Sequence, residues 1–323
     1  MIDVPRDFIE SLINVKNPLD MIWRYIIDKI WVPKNSISMY YNKNEKAVGD
    51  FERFVRDIYF EVYDELLMES SKRRPRLKEI LSQDRYVVAV CDGMSLREAN
   101  LLIDDLRRNG FYIEEYTYEI SHLPSDTLVF TSDIFGISAP SALRTSSDWR
   151  DRSIYLEDIT TDYPLPHVDK LLLFSRYPDK GFDTVSPRVG DSLERVYQDT
   201  SRSLLTYMKK IKPEKIVITS DHGYCTKHPG ANWSVPRVEK EIYQETFGLS
   251  RFKKLSEIFG DMEAKIMEVA EKTDRIKILQ EYAIINGRYV WPVRGDQRQI
   301  YHGGISFMEN FVPFIVARWE GGR

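Results

Sequence analysis

Tyr86-Val-Val-Ala-Val-Cys-Asp-Gly93 runs five apolar residues, three of them β-branched, into a cysteine, an acid and a glycine. A run this short and this continuously apolar has no face left for water. It reads as a strand buried on both sides, as in the middle of a parallel sheet. Just beyond it, Ser95-Leu-Arg-Glu98 has the spacing of a capping box, so a helix is expected over Ser95–Asn109. Asp92 is therefore surplus to capping and free for other work at the strand's end.

The pattern repeats downstream. Phe111–Tyr118 reads as a second strand, Lys170–Phe174 and Lys215–Thr219 as further buried strands, Val189–Ile211 as a long helix, and Phe311–Ala317 as another core strand. Strands alternating with helices predict βαβ units on a mostly parallel sheet, the α/β class. Residues 1–84 read differently. Phe8–Ile13, Met21–Ile30 and Phe51–Met68 carry apolar residues at helical spacing, and no strand pattern precedes Tyr86. Within them, Phe51, Val55, Val62, Tyr63, Leu66 and their neighbours form a broad apolar face that must pack on something. Ser70–Arg76 reads as a basic, polar connector. Residues 234–282 are highly charged and interrupt the alternation, with helical spacing through Phe252–Ala270 and Ile276–Tyr282. The expected organisation is an N-terminal helical region over 1–84, a core over 85–233 and 283–323, and a helical insertion, or cap, over 234–282.

Bulk properties narrow the function classes. The chain has 323 residues, 42% hydrophobic and 30% charged, an ordinary globular mix. A net charge of −4 gives no global attraction to nucleic acid or membrane. No apolar run approaches the roughly 18 residues of a membrane span. Met1-Ile-Asp-Val-Pro-Arg6 lacks the pattern of a secretory leader. Two cysteines, Cys91 and Cys225, are too few for a disulfide framework and suit a reducing cytosol, so a cytoplasmic protein is expected.

Ligands of open α/β sheets bind outside the carboxyl ends of the strands. Three acidic segments fall there: Asp92, then Asp179-Lys-Gly-Phe-Asp183, then Asp221-His222-Gly223, where the glycine is expected to allow a sharp turn. His302-Gly303-Gly304 precedes the final strand. Leu123-Pro-Ser-Asp-Thr127 opens a helix expected over Leu128–Phe135, with Ser125 or Asp126 as its cap and Thr127 in the first turn. Each segment has an ordinary reading: a solvated loop, a structural histidine, a helix start. Together they supply about six oxygen or nitrogen ligands and a hydroxyl on one sheet edge. Two metals bridged by phosphate, with a hydroxyl nucleophile, require that inventory.

This ordered set resembles the PglZ family, a branch of the alkaline phosphatase superfamily. The resemblance covers roughly residues 85–317 and is carried by Thr219-Ser-Asp-His-Gly223 and His302-Gly-Gly-Ile-Ser-Phe-Met-Glu309 with Val312-Pro313. It implies an alkaline-phosphatase-like fold and a phosphodiesterase or phosphatase with two divalent metal ions. It also implies that Asp92, Thr127, Asp221 and His222 hold one metal, and Asp179, Asp183 and His302 the other. Thr127 would be the nucleophile, passing through a phosphothreonine. Zinc is the first expectation. The superfamily often has histidine at the position of Asp183, and a carboxylate there admits manganese or magnesium. Family members act on nucleotides or take part in phage defence, which suggests a nucleotide or oligonucleotide as the phosphate-ester substrate.

Around this set, His228 and Arg298 are candidates to touch substrate, with Lys227 and Arg294 beside them. Trp233, Tyr282, Tyr289 and Trp291 are read as core packing rather than base stacking, and Cys91 and Cys225 as packing residues. Thr127 cannot supply the aldehyde of a sulfatase, whereas a mutase shares the chemistry. The competing class is an interaction protein in a defence or signalling assembly, in which the apolar face of 51–67 docks a partner or a second copy.

Overall fold

The structure, a computed structural model, describes residues 6–33 and 36–321. The N-terminal pattern weighed as a leader lies outside them for residues 1–5, and so does the side chain of Ile13. The chain is α/β, with a mostly parallel sheet flanked by helices. The sheet contains β1 (Tyr86–Cys91), β2 (Phe111–Ile120), β3 (Ser153–Leu156), β4 (Lys170–Ser175), β5 (Ile216–Ser220) and β6 (Phe311–Trp319). Their order across the sheet is β2-β6-β5-β1-β4-β3. The apolar runs put β1, β4 and β5 in its centre, where β1 pairs in parallel with both of the others. β6 runs antiparallel to both β2 and β5. Its starting end therefore lies beside the carboxyl ends of the parallel strands. β3, an edge strand of four residues, was not expected: Ser153-Ile-Tyr-Leu156 is too short to stand out from its polar surroundings.

The helices preceding β1 are α1 (Arg6–Asn14), α2 (Pro18–Tyr25) with a π-helical continuation to Ile30, α3 (Ile37–Ile58), α4 (Val62–Ser71) and α5 (Pro75–Ser82). The single helix expected over Phe51–Met68 is thus two, broken at Tyr59–Glu61. Their apolar face packs largely within this chain. Phe51, Val55, Val62, Tyr63 and Leu66 are buried within this chain, and the rings of Phe51 and Tyr63 lie 6.3 and 6.2 Å from that of Phe307. Glu52 goes down with them. It accepts from the Tyr63 hydroxyl at 3.0 Å and the Phe307 N–H at 3.1 Å, with Arg288 3.8 Å away. Burial carries its carboxyl up to about 7, against the opposing pull of Arg288.

After β1 comes α6 (Leu96–Arg108), started by the capping box of Ser95 and Glu98. α7 (Thr127–Phe135) follows β2, and α8 (Val189–Ile211) precedes β5. The segment 234–282 is not purely helical. It has helices at Lys240–Phe247 and Asp261–Lys272, and strands Phe252–Lys254, Ile276–Leu279 and Tyr282–Ile285 in an antiparallel sheet. Ile276–Tyr282, read as a helix, is the first half of a hairpin turning at Gln280-Glu281, with Gln280 at φ 52. The alternation of Ile276 and Ile278 is a strand period, and this short segment satisfied both periods. Val235, Tyr243, Phe247, Ile266 and Ile285 give the segment a small core of its own.

Candidate active site

The carboxyl ends of β1, β4 and β5 place Asp92, Asp179 and the pair Asp221-His222 along one edge of the sheet. β6 delivers His302 to the same edge because it runs the opposite way. Two groups of side chains result. Asp92, Asp221 and His222 offer ligand atoms within 4.8 Å of one another, and so do Asp179, His222 and His302. His222 belongs to both, and its ring stacks on that of His302 with centroids 4.1 Å apart.

Thr127 is the first residue of α7, and Asp126 is its cap, accepting from the Leu128 N–H at 2.9 Å. The Thr127 hydroxyl lies 2.6 Å from Asp221 Oδ2, 3.1 Å from Asp92 Oδ1 and 3.1 Å from His222 Nε2. His222 Nδ1 is 2.9 Å from the Gly223 carbonyl, which can only accept, so Nδ1 carries the hydrogen of the neutral ring. Nε2 then presents a lone pair. One hydroxyl hydrogen faces three acceptors. His302 is set in the same manner, with Nδ1 3.2 Å from the Ser125 carbonyl and Nε2 3.9 Å from Asp179 Oδ1.

The electrostatics agree. Asp92 and Asp221 are almost fully buried, at 2% and 1% exposure. Burial raises the Asp92 carboxyl well above its ordinary range, helped by Asp221 and Asp179 and opposed by Arg176 3.8 Å away. Burial pulls the His222 ring down, but Asp221 and Asp179 outweigh it and raise the ring overall. His302 is lowered by burial and by His222. Buried carboxylates and ring lone pairs converging on shared space form the donor set of a divalent cation such as zinc or manganese, so the residues fit the metal expected there.

The supporting backbone explains the geometry. Asp221 Oδ1 accepts from the Gly93 and His222 N–H groups, both at 2.9 Å, leaving Oδ2 to face Thr127. Gly223 is needed for a close approach rather than a turn: a Cβ there would sit 2.2 Å from the Met308 carbonyl. Gly303, at φ 104, takes a backbone conformation that favours glycine, and its N–H donates to Ser125 Oγ at 2.9 Å. Ser125 Oγ donates in turn to the Gly304 carbonyl at 3.0 Å. The Thr127 loop and the His302 loop are thus latched by one serine, which was expected only as a possible cap.

Two arginines that the sequence reading passed over hold the Asp221-His222 turn from outside. Arg74 lies in the segment read as a polar connector, yet it is only 1% exposed. It reaches the Ser220 carbonyl at 2.7 Å, Thr219 Oγ1 at 2.6 Å and Glu119 at 3.0 Å. Arg97, inside the capping box, donates to the Tyr224 carbonyl at 2.8 Å and to Glu45 at 2.7 Å. The signal was present as two arginines flanking apolar runs, but nothing in the sequence said they turn inward.

Three expected site residues stand apart. Asp183 caps the short helix Asp179–Phe182, is exposed and belongs to neither group, although it lines a hollow of about 450 Å³ with Asp179 and His302. His228 does not join the site: its Nδ1 is 3.0 Å from the Pro229 carbonyl and it does not line that hollow. Arg298 lines the hollow and is exposed, with Nη2 donating to the Leu249 carbonyl at 2.6 Å. Lys227 pairs with Asp296 beside it, and Arg294 is exposed. Both cysteines are buried, and burial lifts each thiol to about 12, which disfavours the thiolate.

No protein-family model matches the sequence, and no curated protein matches it. Among solved structures, phosphonoacetate hydrolase from Sinorhizobium meliloti 1021 is similar at 14% identity and TM-score 0.40, over 72% of this chain and 90% of that one. Murine ectonucleotide pyrophosphatase / phosphodiesterase 5 is similar at 12% identity and TM-score 0.39, over 72% of this chain and 88% of that one. Its human counterpart is similar at 10% identity and TM-score 0.39, over 74% and 89%. Among the described residues no helix is long and apolar enough to cross a membrane.

Proposed function

We propose that this protein is a metal-dependent phosphoester hydrolase that works through Thr127, in keeping with the PglZ-like order of its motifs. The observation that carries the reading is the Thr127 hydroxyl at 2.6 to 3.1 Å from Asp221, Asp92 and His222. Asp92, Asp221 and His222 would hold one divalent cation with Thr127, and Asp179 and His302 a second. When bound, such cations stabilise charge on the phosphoryl oxygens and lower the pKa of a hydroxyl.

The chain's own residues do the rest. Asp221 Oδ2, 2.6 Å away, orients the hydroxyl and takes its hydrogen as Oγ1 attacks phosphorus. The P–O bond to the leaving group breaks, and its oxygen takes a proton from water. Water then attacks the phosphothreonine, Thr127 recovers its hydrogen, and the phosphate product departs. Arg298, on the rim of the hollow, is held by Asp296 and the Leu249 carbonyl, and Asp183 lines the same hollow as Asp179 and His302. A cytosolic setting suits the two reduced, buried cysteines.

The apolar stripe that motivated an interaction protein is spent inside the chain, which favours the enzyme. The test is elemental analysis of purified protein together with hydrolysis of p-nitrophenyl phosphate and bis(p-nitrophenyl) phosphate. Uptake of zinc, manganese or magnesium with metal-dependent cleavage is expected. Protein that is loaded with each metal in turn and cleaves neither ester would sink the proposal.

A further inference from the structure

Asp126 has a role beyond capping α7. Only Oδ1 is used for the cap. The residue lines two hollows at once: the one of about 450 Å³ beside Asp179 and His302, and a groove of about 850 Å³ between α7 and the strand Phe252–Lys254. Ser250 and Phe252 line both as well, so the two spaces meet at Asp126, one residue from Thr127. Basic side chains around them are engaged elsewhere. Arg73 pairs with Asp133 at 3.1 Å, Lys253 with Glu257 at 2.8 Å and Lys254 with Glu281 at 3.6 Å. Arg298 turns to Asp296 and Leu249. Asp126 is half-buried, and its charge is felt by both His222 and His302.

We propose that Asp126 selects substrates by charge, so that a singly charged phosphodiester is accepted over a doubly charged phosphomonoester. The inference rests on the hydrolase reading of the site. Repulsion from a fixed carboxylate scales with the charge of the incoming group, so a dianion loses twice what a monoanion loses. Space points the same way. A groove of about 850 Å³ is in the range that holds a whole small ligand, and a monoester has no second substituent to put there. With every groove cation already paired, that substituent carries no net charge. A long polyanion finds no row of unpaired cations among the described residues.

Asp126→Asn tests this without dismantling the helix, because asparagine caps as well as aspartate and its amide oxygen can still accept from Leu128. Metal-loaded wild type is expected to cleave bis(p-nitrophenyl) phosphate faster than p-nitrophenyl phosphate. In the variant, kcat/KM for the monoester should rise relative to the diester by roughly tenfold, the effect of one charge several ångströms away in a partly wet site. Asp126→Ser, which also caps, should move the ratio in the same direction. A wild type that prefers the monoester, or a folded, metal-loaded variant with an unchanged ratio, overturns the inference. A wild type that cleaves neither ester overturns the hydrolase reading instead.

Discussion

The backbone N–H of Asp179 donates to the carbonyl of Asp92 at 2.9 Å. The loops after β4 and β1 are therefore joined at the residues that carry the acids. Asp92 in turn donates its own N–H to Ser175 at 2.8 Å, extending the parallel ladder past the ends of both strands. One acid from each of the two groups, Asp92 and Asp179, thus hangs from the same stretch of hydrogen-bonded backbone. Rigid support of this kind suits ligands that must hold cations in fixed places.

Thr127→Ala should abolish hydrolysis of an aryl phosphoester, by at least about a hundredfold, because the attacking oxygen is gone. Asp92, Asp221, Asp179, His222 and His302 all remain, so elemental analysis should still find most of the metal. Thr127→Ser should keep measurable turnover. A chelator should inactivate the wild type, with activity returning on addition of metal.

Asp92→Asn should stabilise the metal-free protein while spoiling the loaded one. Asp92 and Asp221 are buried close together, with Arg176 no nearer to Asp92 than 3.8 Å. Without a cation that arrangement is repulsive, and an amide relieves it. Thermal unfolding should show a higher Tm than wild type in chelator and a smaller gain on adding zinc or manganese. A variant less stable than wild type in chelator would mean the carboxylate is satisfied without metal.

Arg74→Met should be strongly destabilising, by roughly 3–5 kcal/mol, because it leaves Glu119 buried without its partner. The same change releases the Ser220 carbonyl just before Asp221. Combining it with Glu119→Gln should restore part of the stability without restoring metal affinity. Denaturant unfolding and titration calorimetry of the double variant check both halves.

Stability should also depend on pH near neutrality through Glu52. Its carboxyl is raised to about 7 by burial. A raised value makes the protonated form the one that favours folding. That contribution is whole below the ordinary glutamate range and is lost as pH rises through about 7. Unfolding free energy should fall by no more than about 1.4 kcal/mol per pH unit as pH rises from about 4.5 to about 7, and level off above that. Glu52→Gln should flatten this step, as read by urea unfolding at each pH.

Much of this was legible in the sequence because it rests on local pattern. Continuous apolar runs marked β1, β4 and β5, and the acids behind them fell along the edge where the candidate ligand groups gather. The capping box at Ser95 and Glu98 fixed the start of α6. What escaped depends on distant partners. β3 has too few residues to announce itself. Ile276–Tyr282 fits a helix or a strand until the hairpin at Gln280 decides. Arg74 looks like surface charge because its partners, Glu119 and Ser220, lie 45 and 146 residues away. Asp183 was named through motif order, and spacing alone could not tell that it ends a short helix with its side chain exposed.

β6 lies between β2 and β5 and follows every other strand of the sheet in the chain. Until it is made, β2 has no neighbour, and the sheet ends at β5. Assembly during synthesis must therefore wait with an open seam, in which β2 and the flank of β5 expose unpaired backbone. A chain cut before Phe311 would keep most of the acids and histidines named above yet lack the wedge that closes the seam. Such fragments should aggregate rather than work as smaller enzymes.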